Sequence, residues 1–283
     1  MIAELLMEVD FVKISPTQNM TILVTSPVDR ELYGEITEKI MAYDHVHAEQ
    51  VGFIEKPRDP NAAARLQMAG GEFCGNASIS LCAYLLWNAK LECGGSSAPD
   101  KYSIPIECSG LNELLYCDIT KKDNYFLGKI NMPVPKTVEN FDIKIAGKNY
   151  SLPVVYMPGI SHIIAETEKL DIDKNLFAET LIENNSSFTD VEAFGVMFYE
   201  KPDTITPFVY TSQVGSKVWE RGCGSGSAAL GAYLAVTAGK SMTVDVKQPG
   251  GVITVGVDIT NERISGIRVE SKIKIVAYGK AII

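Results

Sequence analysis

Cys74-Gly75-Asn76-Ala77-Ser78-Ile79-Ser80-Leu81-Cys82-Ala83-Tyr84-Leu85 is echoed later in the chain by Cys223-Gly224-Ser225-Gly226-Ser227-Ala228-Ala229-Leu230-Gly231-Ala232-Tyr233-Leu234. The frame Cys-Gly-x-x-Ser-x-x-Leu-x-Ala-Tyr-Leu repeats without a gap, at a separation of about half of the 283-residue chain. A duplicated half with one cysteine in each copy is the simplest account. Each cysteine stands at a Gly-containing turn that opens an apolar, Ala/Leu-rich helix. The first turn of a helix has free N–H groups and a partial positive charge, which favours an anion there. A cysteine so placed is expected to lean toward thiolate. The repeat therefore predicts two lobes, each presenting one sulfur to a shared cleft.

The composition fits that division. With 46% hydrophobic and 22% charged residues, the chain reads as globular and long enough for two cores. A net charge of −9 argues against a nucleic-acid partner, which needs a basic face. No apolar stretch approaches the roughly 20 residues of a membrane span. Met1 to Asp10 carries acidic residues and lacks a basic segment before an apolar one, so no secretory signal is read and a cytoplasmic location is expected. The six cysteines (Cys74, Cys82, Cys93, Cys108, Cys117 and Cys223) lack disulfide-scaffold density and CxxC spacing, so they are expected as thiols with no metal.

Strand-like text covers Phe11 to Ile14 and Met20 to Val24, Val51 to Ile54, and Ile104 to Ile130. Glu31 to Tyr43 looks helical, with Leu32, Ile36, Ile40 and Met41 on one face. The second half repeats the grammar: strands around Pro153 to Ile164, a helix over Leu176 to Asn184, strands near Val196 and Phe208, then the helix Ser225 to Thr237, stopped by Gly239. Short strands with turns follow at Met242 to Val246, Gly251 to Val257, Ile264 to Val269 and Ile273 to Ile283. The expected class is α+β, in two lobes spanning 1–122 with 272–283, and 123–271.

The paired Cys-Gly loops resemble those of the cofactor-independent amino-acid racemases and epimerases of the diaminopimelate epimerase and proline racemase type. The resemblance runs along nearly the whole chain, through Gln18-Asn19, Glu49-Gln50-Val51-Gly52-Phe53, Glu220-Arg221-Gly222 and Gln248-Pro249-Gly250-Gly251. It implies two pseudo-symmetric lobes of the diaminopimelate epimerase kind, each a curved sheet or barrel around a central helix, with the active site in the cleft between them. It also implies no cofactor, a free amino acid as partner, and Cys74 and Cys223 as acid and base on opposite faces of the α-carbon. Without an imine cofactor, charge developing on the substrate carboxylate needs preorganised N–H donors. The first-turn amides of Gly75, Asn76, Gly224 and Ser225 are placed for that. The oligomeric state is left open, with a homodimer as one option.

Departures from the family narrow the substrate. Diaminopimelate epimerases carry Asn-x-Asp-Gly-Ser before the first cysteine, where this chain has Gln67-Met68-Ala69-Gly70-Gly71-Glu72. Their Gly-Asn-Pro-His is here Gly159-Ile160-Ser161-His162, and Gly222 runs straight into Cys223. The wording around Asn19, Glu49 and Cys74 is closer to the histidine racemases of opine-metallophore pathways, in which an acid matching Glu49 would face the imidazole. Histidine racemase is the leading reading and diaminopimelate epimerase the alternative.

The remaining residues have plainer readings beside the functional ones. Asn19 and Gln50 read as turn and strand-edge residues unless the family match lifts them into the substrate site. His162 is either a core histidine or a neighbour that tunes a cysteine. Glu220 is either the ion-pair partner of Arg221 or a group acting on Cys223, and the family match puts both with the substrate. His45 and His47 lack a third ligand and read as ordinary surface or core residues. Cys82, Cys93, Cys108 and Cys117 read as structural. A dithiol redox protein and an amino-acid-binding protein are the competing classes; appearance of solvent deuterium at the α-carbon separates a racemase from both.

Overall fold

A computed structural model describes residues 7–92, 100–145, 147–184, 193–212 and 215–283. Cys93 lies outside them. The fold is α+β, with far more strand than helix, and the chain divides into two compact units, Met1–Ile130 with Ser271–Ile283, and Asn131–Glu270.

The first unit runs β1 (Glu8–Pro16), β2 (Thr21–Val24), α1 (Tyr33–Met41), β3 (Gln50–Glu55), β4 (Arg65–Met68), α2 (Gly75–Glu92), β5 (Lys101–Cys108), β6 (Leu115–Lys121) and β7 (Phe126–Met132). Two of its pairs are parallel, β2 with β3 and β4 with β5, and each is joined through a helix. That is the expected arrangement, because parallel neighbours need a long crossover. The pairs β1–β2, β3–β4, β5–β6 and β6–β7 are antiparallel.

The second unit runs β8 (Thr137–Ile145), β9 (Lys148–Met157), β10 (Ile160–Glu166), α3 (Lys174–Glu183), β11 (Ala193–Glu200), β12 (Thr204–Thr211), β13 (Ser216–Trp219), α4 (Gly224–Ala238), β14 (Met242–Gln248), β15 (Gly251–Thr260) and the start of β16 (Arg263–Ile282), whose part from Ser271 onward belongs to the first unit and pairs with β1. Its parallel pairs are β10–β11 and β12–β14, the first bridged by α3 and the second by α4. The order of pairings thus repeats: an antiparallel hairpin, a parallel pair through a short helix, an antiparallel pair, a parallel pair through the Cys-Gly helix, then antiparallel strands. The duplication read from one motif extends to the connectivity.

Five details differ from the sequence reading. β4, β8 and β13 were not expected. β4 and β13 are only four residues long, and β8 (Thr-Val-Glu-Asn-Phe-Asp-Ile-Lys-Ile) is mostly polar and exposed until Ile143. The two last strands are one, β16, because Ser271 continues the strand with only 3% exposure where Glu270-Ser271-Lys272 reads as a break. The first unit also runs past the expected 122/123 boundary to Ile130, because β7 pairs with β6.

Both Cys-Gly helices are apolar nearly all round, the pattern of a helix buried on every side. In α2, Ala77 to Ala83 are all buried, and the helix packs against β1 to β6. In α4, Ala228 to Ala232 are buried, and the helix packs against β8 to β11, β14 and β15. Gly231 lets α4 sit down on β15: a Cβ there would come within 2.6 Å of Val255 Cγ1. Among the described residues, no helix is long and apolar enough to cross a membrane.

Candidate active site

The first cysteine turn is built by three elements of the first unit. Cys74 immediately precedes α2, and its Sγ accepts the Ala77 N–H at 3.4 Å. Its carbonyl accepts both the Ser78 N–H at 2.9 Å and the Ser78 hydroxyl at 2.8 Å. The thiol donates to Gln50 Oε1 at 2.8 Å, across from the start of β3. Gln50 Nε2 in turn donates to Asn19 Oδ1 at 2.5 Å and Thr21 Oγ1 at 2.7 Å. Asn19, Thr21 and Asn76 are buried. Glu49, one residue before β3, is half-buried and its backbone N–H donates to Met20 O.

The second turn follows the same plan with different neighbours. Cys223 is the N-cap of α4, with extended backbone and a side chain that accepts the Gly226 N–H at 3.3 Å. Sulfur here takes the place that oxygen holds in an ordinary N-cap. Its carbonyl accepts the Ser227 N–H at 3.0 Å and the Ser227 hydroxyl at 2.6 Å. The serine of the repeated frame therefore has the same task in both copies: it locks the cysteine carbonyl into the first helical turn. Gln248, at the end of β14, accepts the Cys223 N–H at 2.7 Å and donates to Ser227 Oγ at 2.8 Å. Ser225 Oγ is 3.6 Å from the sulfur.

Electrostatics separate expectation from structure at Cys223. Burial pushes the thiol well above its ordinary range, and the charge of Glu220 and its hydrogen bond with the thiol add to the rise. The Ser225 hydroxyl and the Gly226 N–H pull in the other direction without reversing it. Burial and the neighbouring carboxylate, neither of which the sequence shows, act against the leaning toward thiolate expected at a helix N-terminus. Removing that carboxylate as Glu220→Gln should favour the thiolate. Iodoacetamide should then modify Cys223 faster at neutral pH, with Cys74 unaffected; peptide-resolved mass spectrometry reads both rates, and an unchanged Cys223 rate would contradict the assignment.

His162 is fully buried on β10, opposite Gly195 of β11. Burial lowers its pKa to about 3, so the ring is neutral throughout the neutral range, and neither ring nitrogen has a hydrogen-bond partner among the described residues. A Cβ on Gly195 would lie 2.4 Å from His162 Nδ1, so glycine makes the room for the ring. Met197 reaches both Gly195 and Gly226, which connects this pocket to the Cys223 turn. Arg221 donates from Nη2 to Pro249 O, and its carbonyl accepts the Gly250 N–H, tying the approach to Cys223 to the β14–β15 turn. Gly75 and Gly224 follow the two cysteines as the first residues of α2 and α4.

The other thiols stand apart from this chemistry. Cys82, Cys108 and Cys117 are buried in the first unit; burial raises Cys108 to about 11 and also raises Cys82, which sits against Cys117. His45 bonds through its ring to Ile282 O at 2.8 Å, and the His47 ring meets Tyr43 edge-on. Sequence reasoning missed Thr21, Ser78 and Ser227 and gave Gln248 no task. The two serines were readable, since they are fixed positions of the repeated frame.

A family model described as the histidine racemase CntK N-terminal domain matches residues 8–282. A histidine racemase of Fusobacterium nucleatum subsp. nucleatum is 34% identical over 284 residues, covering 97% of each chain. A histidine racemase of Staphylococcus aureus is 30% identical over 285 residues, covering 97% of this chain and 98% of that one. Among solved structures, a hydroxyproline epimerase from Agrobacterium vitis with bound trans-4-hydroxy-L-proline gives a TM-score of 0.71 at 12% identity over 98% of this chain and 93% of that one. A Bacillus anthracis phenazine biosynthesis protein of the PhzF family gives 0.64 at 18% identity over 98% and 100%. At such identities the solved structures show the fold alone.

Proposed function

The chain belongs to the family of that histidine racemase model and is an isomerase, an amino-acid racemase, and we propose that it interconverts L- and D-histidine without a cofactor, with Cys74 and Cys223 as the two acid–base groups. The observation that supports this most is the repeated construction of the two cysteine turns. In each, sulfur stands at the start of a buried helix, takes a first-turn N–H, and has its carbonyl locked by the serine four residues on.

One thiolate removes the α-proton and the other thiol delivers a proton to the opposite face, so the pair exchanges roles when the other enantiomer binds. The carbanion has only its own carboxylate to spread charge onto. The first-turn amides after each cysteine are the donors proposed to hold that carboxylate, aimed before the reaction starts. Asn19, Glu49, Asn76, Arg221 and Ser225 are assigned to the substrate, Glu220 to the titration of Cys223, and His162 to a neutral contact behind its turn. The fold is proposed to be of the diaminopimelate epimerase type.

The test is L-histidine in deuterium oxide with no pyridoxal phosphate. D-Histidine should accumulate toward an equal mixture, and the first product formed should carry deuterium at the α-carbon while the remaining L-histidine still carries hydrogen. Chiral chromatography with mass detection reads both. Product without solvent deuterium, or turnover that begins only on adding pyridoxal phosphate, would refute the assignment.

A further inference from the structure

Gln50 is held far more firmly than the first residue of a strand needs to be. Both hydrogens of its amide are committed, one to Asn19 Oδ1 at 2.5 Å and one to Thr21 Oγ1 at 2.7 Å. Thr21 sends its own hydroxyl hydrogen to Asn19 O at 3.2 Å, so its oxygen faces Gln50 as an acceptor. Asn19 is anchored in turn by its N–H on Pro16 O at 2.9 Å, and both residues are buried. A carboxamide can normally rotate to offer either its oxygen or its nitrogen. Here rotation would break two hydrogen bonds in a buried place, so only the oxygen is offered to Cys74, at 2.8 Å from the sulfur.

An amide oxygen accepts a hydrogen from a thiol but can only repel a thiolate. Among the described residues the second turn is arranged differently: in the other parallel pair bridged by a short helix, β10–β11, His162 stands opposite Gly195, which has no side chain. The acceptor beside Cys223 is instead the carboxylate of Glu220, which can itself take a proton. The two sulfurs are therefore unequal, although their turns are built alike.

We infer that Gln50 is a positioning residue for Cys74: its fixed oxygen holds the thiol hydrogen and makes Cys74 the proton donor of the resting enzyme. With Cys74 poised to deliver a proton, the α-proton leaves toward Cys223, and the two enantiomers meet the resting enzyme on unequal terms. This rests on the two-cysteine reading and deepens it, by moving Gln50 from the substrate to the thiol.

The experiment measures iodoacetamide modification of each cysteine at neutral pH in the full chain, by peptide-resolved mass spectrometry. Gln50→Met keeps the length of the side chain and removes the acceptor. Modification of Cys74 should become about fivefold faster than in the parent chain, the equivalent of one neutral hydrogen bond of about 1 kcal/mol, while Cys223 keeps its rate. Gln50→Glu keeps an oxygen at the same place and adds charge against a thiolate, so Cys74 should be modified no faster than in the parent. That opposite response distinguishes a lost acceptor from a loosened turn, which would speed Cys74 in both variants. An unchanged Cys74 rate in Gln50→Met, or a faster one in Gln50→Glu, would overturn the inference. Where Gln50→Met opens the whole unit, buried Cys82 and Cys108 become modified and Gln50→Glu decides alone. Because alkylation reads the thiol without turnover, failure of the two-cysteine reading would be seen separately, as racemisation surviving in Cys74→Ser.

Discussion

Cys74→Ser and Cys223→Ser should each lose racemisation of histidine by at least roughly 10²–10⁴-fold, the range contributed by a positioned acid–base group. A serine hydroxyl is too weak an acid to supply the anion that one face needs and too weak a base on the other. Because two enantiomers have equal free energy, kcat/KM must fall by the same factor in both directions in each variant. Unequal losses would mean that something other than the proton transfers was being measured. Unfolding is not the expected cause, since serine is itself a preferred helix N-cap and both cysteines stand at that position.

The single variants should nevertheless keep half of the chemistry. Expelling a β-leaving group from a histidine-like analogue needs only the base, not the acid on the other face. Cys74→Ser should eliminate from the enantiomer whose α-proton faces Cys223, and Cys223→Ser from the other. The two variants should therefore be complementary, each processing one enantiomer of the same analogue. If one variant processed both enantiomers, or either kept full racemisation, two single-face bases could not be the mechanism.

Much of this was legible because helices and duplications write themselves plainly. The run Ser225 to Thr237 is apolar with a glycine stop, and Gly239 indeed takes the left-handed conformation, φ 63°, that ends α4. The cysteines and their serines lie in a gapless repeat, so the sequence shows them twice. Strands such as β8 hide because acidic and polar residues interrupt the alternation, and four-residue strands such as β4 are too short to show a period. The partners of each thiol hide for another reason: Gln50 reaches Cys74, and Gln248 reaches Cys223, only through strand pairing between distant segments. The protonation of Cys223 depends on burial and on where Glu220 points, and neither is a property of the local text.

Glu49 is where the substrate should be decided. It immediately precedes β3, its backbone is fixed by the bond from its N–H to Met20 O at 2.8 Å, and one carboxylate oxygen is buried. It is the neighbour of Gln50, whose side chain already serves Cys74. An acid there suits an imidazole N–H and repels a second carboxylate, so L-histidine should be turned over in preference to LL-diaminopimelate. Glu49→Gln keeps the shape and removes the charge. A hydrogen bond to a charged group is worth about 1.5–3 kcal/mol, so kcat/KM for histidine should fall roughly 10–100-fold. The Cys74 and Cys223 alkylation rates should stay as they are, because the loss concerns the imidazole and not the thiols. Equal turnover of LL-diaminopimelate and L-histidine by the parent chain would instead place the family's other substrate in this site. Were Glu49→Gln to leave histidine turnover intact while the parent still preferred histidine, the imidazole would have to be read by another residue.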